Sequence, residues 1–372
     1  MTKSRANALL RLHLTSGIDV MTLMPVVSEL LKELIPSFSL SMIRVDETCA
    51  PREHYSEYFD EASHELFARA GAQFSARSSD PAAFSNLLRN RRAVGTLIDT
   101  RPDYVAGATY QHLFKRNGIH HCLDIAMRDG TGPIGILGIF REERTQKFTR
   151  SEVVIADGLY HHLVHACAQR AIGTEFDEIE TALVVVDLRG KIVWASRDGR
   201  RWLEDVAMGA ERAPLVEAGL IPAACAELVR SFVRSRTTSS RASGAGRVPT
   251  TVLPIPGGRL RLRAYPLEGA GRCDYIGIQM GLEMDRGLRV LRALERAALS
   301  PQQCRLALAQ WQSRPRSEIR SLLGVTANTL KSYQKDMYSR LAVGSAAELR
   351  ELLDDQARAV SLDLVRHRPR AA

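Results

Sequence analysis

Hydrophobic positions along the chain change their period several times, and each change predicts an element. Apolar residues at helical spacing run from Val20 to Ile35, with a break expected at Pro25. The alternation Phe38-Ser39-Leu40-Ser41-Met42-Ile43-Arg44-Val45 predicts a strand. Helical and loop stretches then lead to a predicted hairpin, Ile119–Arg128 and Ile134–Phe140, turning at Asp129-Gly130-Thr131-Gly132-Pro133. A helix opens after Phe148 and runs to about Arg170, with Thr149 or Ser151 as its N-cap.

A second segment, 176–283, is strand-rich at both ends. Leu183–Asp187 and Lys191–Ala195 flank the turn Asp187-Leu188-Arg189-Gly190, a hairpin pattern. Helical stretches follow around Arg200–Val206 and Ala223–Arg236, then a Ser/Gly/Arg-rich loop from Thr237 to Arg247. Three more strands are predicted at Thr251–Ile255, Arg259–Tyr265 and Tyr275–Met280. Strict alternation in Arg259-Leu260-Arg261-Leu262-Arg263 predicts one buried and one wet face.

From 284 to 298 the pattern is a helix whose seam is Leu288, Leu291, Leu294 and Ala298. Such a connector could pair with a second copy or lie on its own domain. Beyond it, Ile319 and Leu323 sit at i,i+4 on a short helix, and Gly324 follows where the chain must turn sharply. Thr326 is placed to cap the next helix, which is predicted to reach Leu341. Leu330, Tyr333, Met337 and Leu341 form its apolar stripe, while Asn328, Lys331, Ser332 and Lys335 form a polar, net positive face. That combination suits a helix lying in the major groove of double-stranded DNA.

Composition sharpens this picture in two places. The 372 residues carry a net charge of +9, and the stretch from Leu299 onward holds 12 Lys/Arg against 7 Asp/Glu, over half of that excess. A basic C-terminus is what a polyanionic partner would meet. The rest is ordinary: 45% apolar and 25% charged residues, enough for several cored domains. No run approaches a membrane span, and MTKSRANALLRLHLTSG lacks a signal-peptide core, so the expected location is the cytoplasm, with no membrane partner. Six cysteines lie far apart without CxxC or zinc spacing, which predicts buried thiols.

From Leu299 to about Leu353 the chain resembles the C-terminal DNA-binding domain of the LuxR/GerE family. The residues that carry it are Ile319-(x3)-Leu323-Gly324-Val325-Thr326-(x2)-Thr329-Leu330-Lys331-Ser332-Tyr333, then Met337-Tyr338-Ser339-Arg340-Leu341-Ala342-Val343. Leu299-Ser300-Pro301 and Ser345-(x2)-Glu348-Leu349 fit as well, whereas Gln303 stands where the family usually has Glu. The resemblance implies an all-α four-helix helix-turn-helix domain with its third helix in the groove. Lys331, Ser332 and Lys335 would face bases or phosphates, and Thr326 and Thr329 would anchor the backbone. The fourth helix, about Ala346–Asp355, would help dimerise the domain.

The segment 176–283 resembles a PAS domain, through Ala182-Leu183-Val184-Val185-Val186-Asp187-Leu188-Arg189-Gly190-Lys191-Ile192-Val193-Trp194-Ala195 and the closing strands. The segment 1–172 resembles a GAF domain through its hairpin and the helix after Phe148, with a second PAS-like unit as the alternative. The expected fold is therefore α+β and multidomain: 1–172 GAF-like, 176–283 PAS-like, 284–298 connector, 299–358 helix-turn-helix, 359–372 basic tail. The expected function is a homodimeric, sequence-specific transcriptional regulator responding to an unknown small-molecule effector, with RNA polymerase as a candidate partner. The alternative is a helix-turn-helix that contacts a partner protein.

Catalysis and cofactors are not expected. Every histidine lies outside 176–283, which excludes a His-ligated haem there, and no GxxxxGK[ST] loop is present. Trp is absent from 1–170, which disfavours an acyl-homoserine-lactone pocket of the kind that uses it. His161 and His165 have the i,i+4 spacing of a helical metal pair, as well as that of an ordinary wet helix face; His120-His121-Cys122 is a second cluster. No metal is assigned.

Overall fold

The computed structural model describes residues 2–57, 88, 93–96, 102–168, 175–206, 219–238, 248–255, 257–269 and 272–360. The loop residues 239–247 and the tail from 361 onward lie outside them. The described chain forms two compact units: one joins the residues up to Glu175 with those from Asp285 onward, and the other is Phe176–Met284. Each contains a five-stranded antiparallel sheet, so the protein is α+β.

The first unit opens with two helices, α1 (Lys3–Leu14) and α2 (Val20–Leu34). The Asp19 carboxylate starts α2 by accepting from the N–H groups of Met21 and Thr22. The helix continues through Pro25, where the sequence pattern predicts a break. An interior proline costs about 3 kcal/mol. Leu23, Met24, Val26 and Val27 around it are fully buried, at roughly 1.5–3 kcal/mol each, so packing outweighs the lost bond.

Five strands follow: β1 (Ser39–Val45), β2 (Pro51–Ser56), β3 (Val94–Thr96), β4 (His121–Arg128) and β5 (Pro133–Arg141), ordered β2-β1-β5-β4-β3. The predicted β4–β5 hairpin forms, its turn held by the Asp129 carboxylate accepting from the Thr131 and Gly132 N–H groups. β1, β4 and β5 are buried on both faces, whereas β2 is a polar edge strand without alternation and escaped prediction. Helix α3 (Arg150–Ala168) covers one face, and Thr149, not Ser151, caps it, with Glu152 returning the bond to the Thr149 N–H.

In the second unit, β6 (Phe176–Asp187) and β7 (Ile192–Ala195) form the predicted hairpin around Gly190, whose φ is +83°. Helices α4 (Arg197–Val206) and α5 (Ala223–Thr238) come next, then β8 (Thr250–Ile255), β9 (Gly258–Gly269) and β10 (Arg272–Asp285). The sheet order is β7-β6-β10-β9-β8. Counted within each unit, both sheets follow the order 2-1-5-4-3. In β9, Leu260 and Leu262 are buried as the alternation requires, but the arginines between them are occupied: Arg259 and Arg261 both bind the buried Glu283.

The last part of the first unit contains five helices: α6 (Arg286–Arg296), α7 (Pro301–Trp311), α8 (Arg316–Leu323), α9 (Ala327–Leu341) and α10 (Ala346–Arg358). The stretch read as a connector is α6, and the three leucines of its seam are already covered, while Ala298 lies past the helix end and is exposed. Leu288, Leu291 and Leu294 are fully buried, and α6 packs on α10 and α7 of the same chain. Those leucines are thus packed on the helices of their own unit. The apolar face of α10, Leu349, Leu353 and Ala357, is likewise buried within the chain. Arg5 reaches the Glu295 carbonyl, His13 the Glu295 carboxylate, Arg305 the Thr15 hydroxyl and Gln312 the Ser16 carbonyl, so α1 is joined to α6 and α7.

Candidate nucleic-acid interface

Short-range chemistry positions α9. Helix α8 ends at Gly324, which takes the left-handed conformation (φ +63°, ψ +37°) and lets its N–H close back on the last turn. Two residues later the Thr326 hydroxyl caps α9, accepting from the Thr329 N–H at 3.2 Å. The Thr326 and Thr329 hydroxyls also meet, at 2.9 Å.

The two faces of α9 separate as the pattern predicts. Leu330 and Met337 are buried, Tyr333 and Leu341 half-buried. Thr326, Asn328, Lys331, Ser332 and Lys335 are exposed, and Thr329 is half-buried beneath them. Asn328, Lys331 and Lys335 stand at i, i+3 and i+7, one stripe along the helix. Among the described residues neither lysine has an ion-pair partner, so both charges face solvent. A stripe with one amide and two free ammonium groups can donate to base edges and phosphates together.

Two contacts that hold α9 were not read from the sequence. The Gln303 side chain accepts from the Ser300 N–H at 2.9 Å, closing a capping box on α7, and donates to Asp336 on α9 at 2.6 Å. The same Asp336 accepts from Arg340. The Tyr338 hydroxyl donates to Gln310 at 3.2 Å. Ser300 followed three residues on by Gln303 is a readable capping-box signal; the links to α9 are not local and leave no such trace. Trp311 donates to Asp354 at 2.8 Å and Arg286 pairs with the same carboxylate, fixing α10 beneath α7 and α6.

The histidine clusters do not converge. His161 and His165 are exposed on α3, His162 is half-buried, and no group of three His, Cys, Asp or Glu with metal-holding geometry occurs among the described residues. Cys49, Cys122, Cys167, Cys225 and Cys304 are buried thiols that form no disulfide. Among the described residues no helix is long and apolar enough to cross a membrane.

No family model matches the chain, and no curated protein does. Among solved structures, a ligand and DNA complex of VqmA from Vibrio cholerae is similar over 50% of this chain and 88% of its own, at 14% identity and a TM-score of 0.27. A phage VqmA–DPO complex is similar over 50% and 87%, at 15% identity and a TM-score of 0.21. The sensor region of a sensor histidine kinase is similar over 74% and 91%, at 14% identity and a TM-score of 0.18. At these scores the functional reading stands on the residues of the chain itself.

Proposed function

We propose that the protein is a sensory transcriptional regulator that binds double-stranded DNA through α9. In this reading α7–α10 are the helix-turn-helix domain of LuxR/GerE type, α9 enters the major groove, and Asn328, Lys331, Ser332 and Lys335 face the duplex. The observation that carries it is the stripe of Asn328, Lys331 and Lys335: exposed, unpaired, and launched from a left-handed glycine and a threonine cap. Thr326 and Thr329, at the helix start, would meet a phosphate.

The two sheets are the sensory part. Their common strand order makes the segment read as GAF-like and the segment read as PAS-like two modules of one architecture. The protein acts as a cytoplasmic homodimer reading two half-sites, and it has no catalytic role.

Selection of a bound sequence from random duplexes, followed by mobility shifts, tests the reading. Lys331→Ala and Lys335→Ala should each cost about 1–3 kcal/mol if the lysine meets a base; a phosphate contact would instead lower the salt slope by about one. A double variant that binds with unchanged affinity and unchanged salt dependence refutes it.

A further inference from the structure

The first sheet carries a buried carboxyl that nothing in the fold explains. Asp124 lies in the middle of β4, where Cys122-Leu123-Asp124-Ile125-Ala126-Met127 is otherwise apolar, and is more than nine-tenths buried. One of its oxygens, Oδ1, accepts from the Cys122 thiol at 2.9 Å. The other, Oδ2, is buried and has no hydrogen-bond partner. No cationic side chain among the described residues pairs with it. An uncompensated buried carboxylate is among the most costly groups a protein can hold.

Register shows what surrounds it. Directly opposite residues on antiparallel strands share a face. Asp124 is paired with Gly138 on β5 and Gly95 on β3, and its neighbours on its own face of β4 are Cys122 and Ala126. Its immediate neighbours on that face are therefore all small, apart from one ring that leans over Gly138. The Phe140 ring lies along the same face, so close that a Cβ at Gly138 would stand 2.7 Å from it. Across β5, this face continues through Ser39 and Ser41 on β1 and Ser56 on β2. The Ser39 and Ser56 hydroxyls are also buried without partners. Three unsatisfied polar groups thus occupy one internal face, with an aromatic ring among them.

We propose that this face is the effector site of the first sensory module and takes a small primary amine. The ammonium would sit on Asp124 Oδ2 and supply the positive charge the fold omits. A short apolar body would lie against Phe140, and a second polar group would reach the Ser39 hydroxyl, two strands across and two residues along, about 12 Å away. Burial pushes the Asp124 carboxyl up to about 7, so at neutral pH about half of the groups are already ionised and an ammonium would draw the rest to the carboxylate form. The proposal rests on reading this sheet as sensory; it adds the chemistry of what is sensed.

Thermal unfolding of the full chain tests it, with 5-amino-1-pentanol and n-pentylamine as probes and 1-pentanol as the neutral control, at constant ionic strength. Both amines should raise the midpoint, by about 5 °C at a hundredfold excess over Kd, while 1-pentanol does not. Asp124→Asn, of the same shape, should abolish both shifts. If that variant does not fold, Ser39→Ala decides: the response to the amino alcohol should fall and the response to pentylamine persist. Absence of an amine shift in the unmodified protein, its survival in Asp124→Asn, or an unaltered response in Ser39→Ala overturns the proposal. DNA binding is read separately by mobility shift, so failure here leaves the regulator reading standing, and loss of DNA binding leaves this one standing.

Discussion

A carboxyl that leaves water without a cationic partner titrates late, and the stability of the protein must record it. Burial raises Asp124 to about 7 from an ordinary 3.8, and the Cys122 thiol, driven far up by burial, stays neutral beside it. Between those two values the folded form holds a proton that the unfolded form has released. The contribution of this group therefore falls as pH rises from about 4 to about 7 and is flat above, a loss on the order of 4 kcal/mol. Denaturant titrations at pH 5 and pH 8 should show Asp124→Asn losing less stability over that interval than the unmodified protein; equal losses would mean that the carboxyl is hydrated. Gln303 is a corresponding case among the C-terminal helices. A glutamate would keep the capping box but set a second carboxylate against Asp336, whereas the amide donates to it. Gln303→Ala removes both bonds and should lower stability by about 1–2 kcal/mol, read from the shift in denaturation midpoint.

Among elements, those with local causes were legible and those with distant causes were not. Helix α9 is written in its own residues: a glycine for the left-handed turn, a threonine cap, a stripe at helical spacing. At Gly324 a Cβ would meet nothing within 4 Å, so the cost of a side chain there is backbone strain alone. Gly324→Ala should destabilise by about 1–2 kcal/mol and weaken DNA binding, while Gly324→Asn, which tolerates that conformation better, should lose less on both counts. Thermal melts and mobility shifts on the pair measure this directly. Strands β2 and β3 had no comparable signature. Pro51-Arg52-Glu53-His54-Tyr55-Ser56 neither alternates nor buries a continuous face, and it is held in place by pairing with β1. At Pro25 the local rule predicted a break, and burial of the helix around it prevailed.

At the scale of the molecule, the first unit ties α1 and α2 to α6 by an ionic chain that is buried at its His13 end and exposed at Glu29. Glu295 on α6 binds His13 on α1 and Arg292, and Arg292 also pairs with Glu29 on α2 at 2.7 Å. Burial would raise the Glu295 carboxyl, but the His13 hydrogen bond and Arg292 outweigh it and hold it below the usual range. A depressed carboxyl stabilises above its unfolded pKa and loses that contribution as pH falls through its folded value. Glu295→Ala strips the buried His13 of its partner, while Arg292 keeps Glu29, and should cost about 1–3 kcal/mol. Hydrogen exchange should then rise in α1 and α6 together; faster exchange confined to α6 would show that the chain does not couple them.

The chain by itself determined what is encoded within a few residues: helix stripes, caps, hairpin turns, the basic face of α9, the resemblance of its closing segment to a DNA-binding domain. These follow from backbone geometry and side-chain period, which act between near neighbours. Only the tertiary structure decided which surfaces meet. It spent the α6 leucines inside the chain, gave both sheets one strand order, and placed Asp124 between two glycines with an oxygen left over. Burial and register depend on residues far apart in sequence, and a buried carboxyl looks, in its own strand, like any other aspartate.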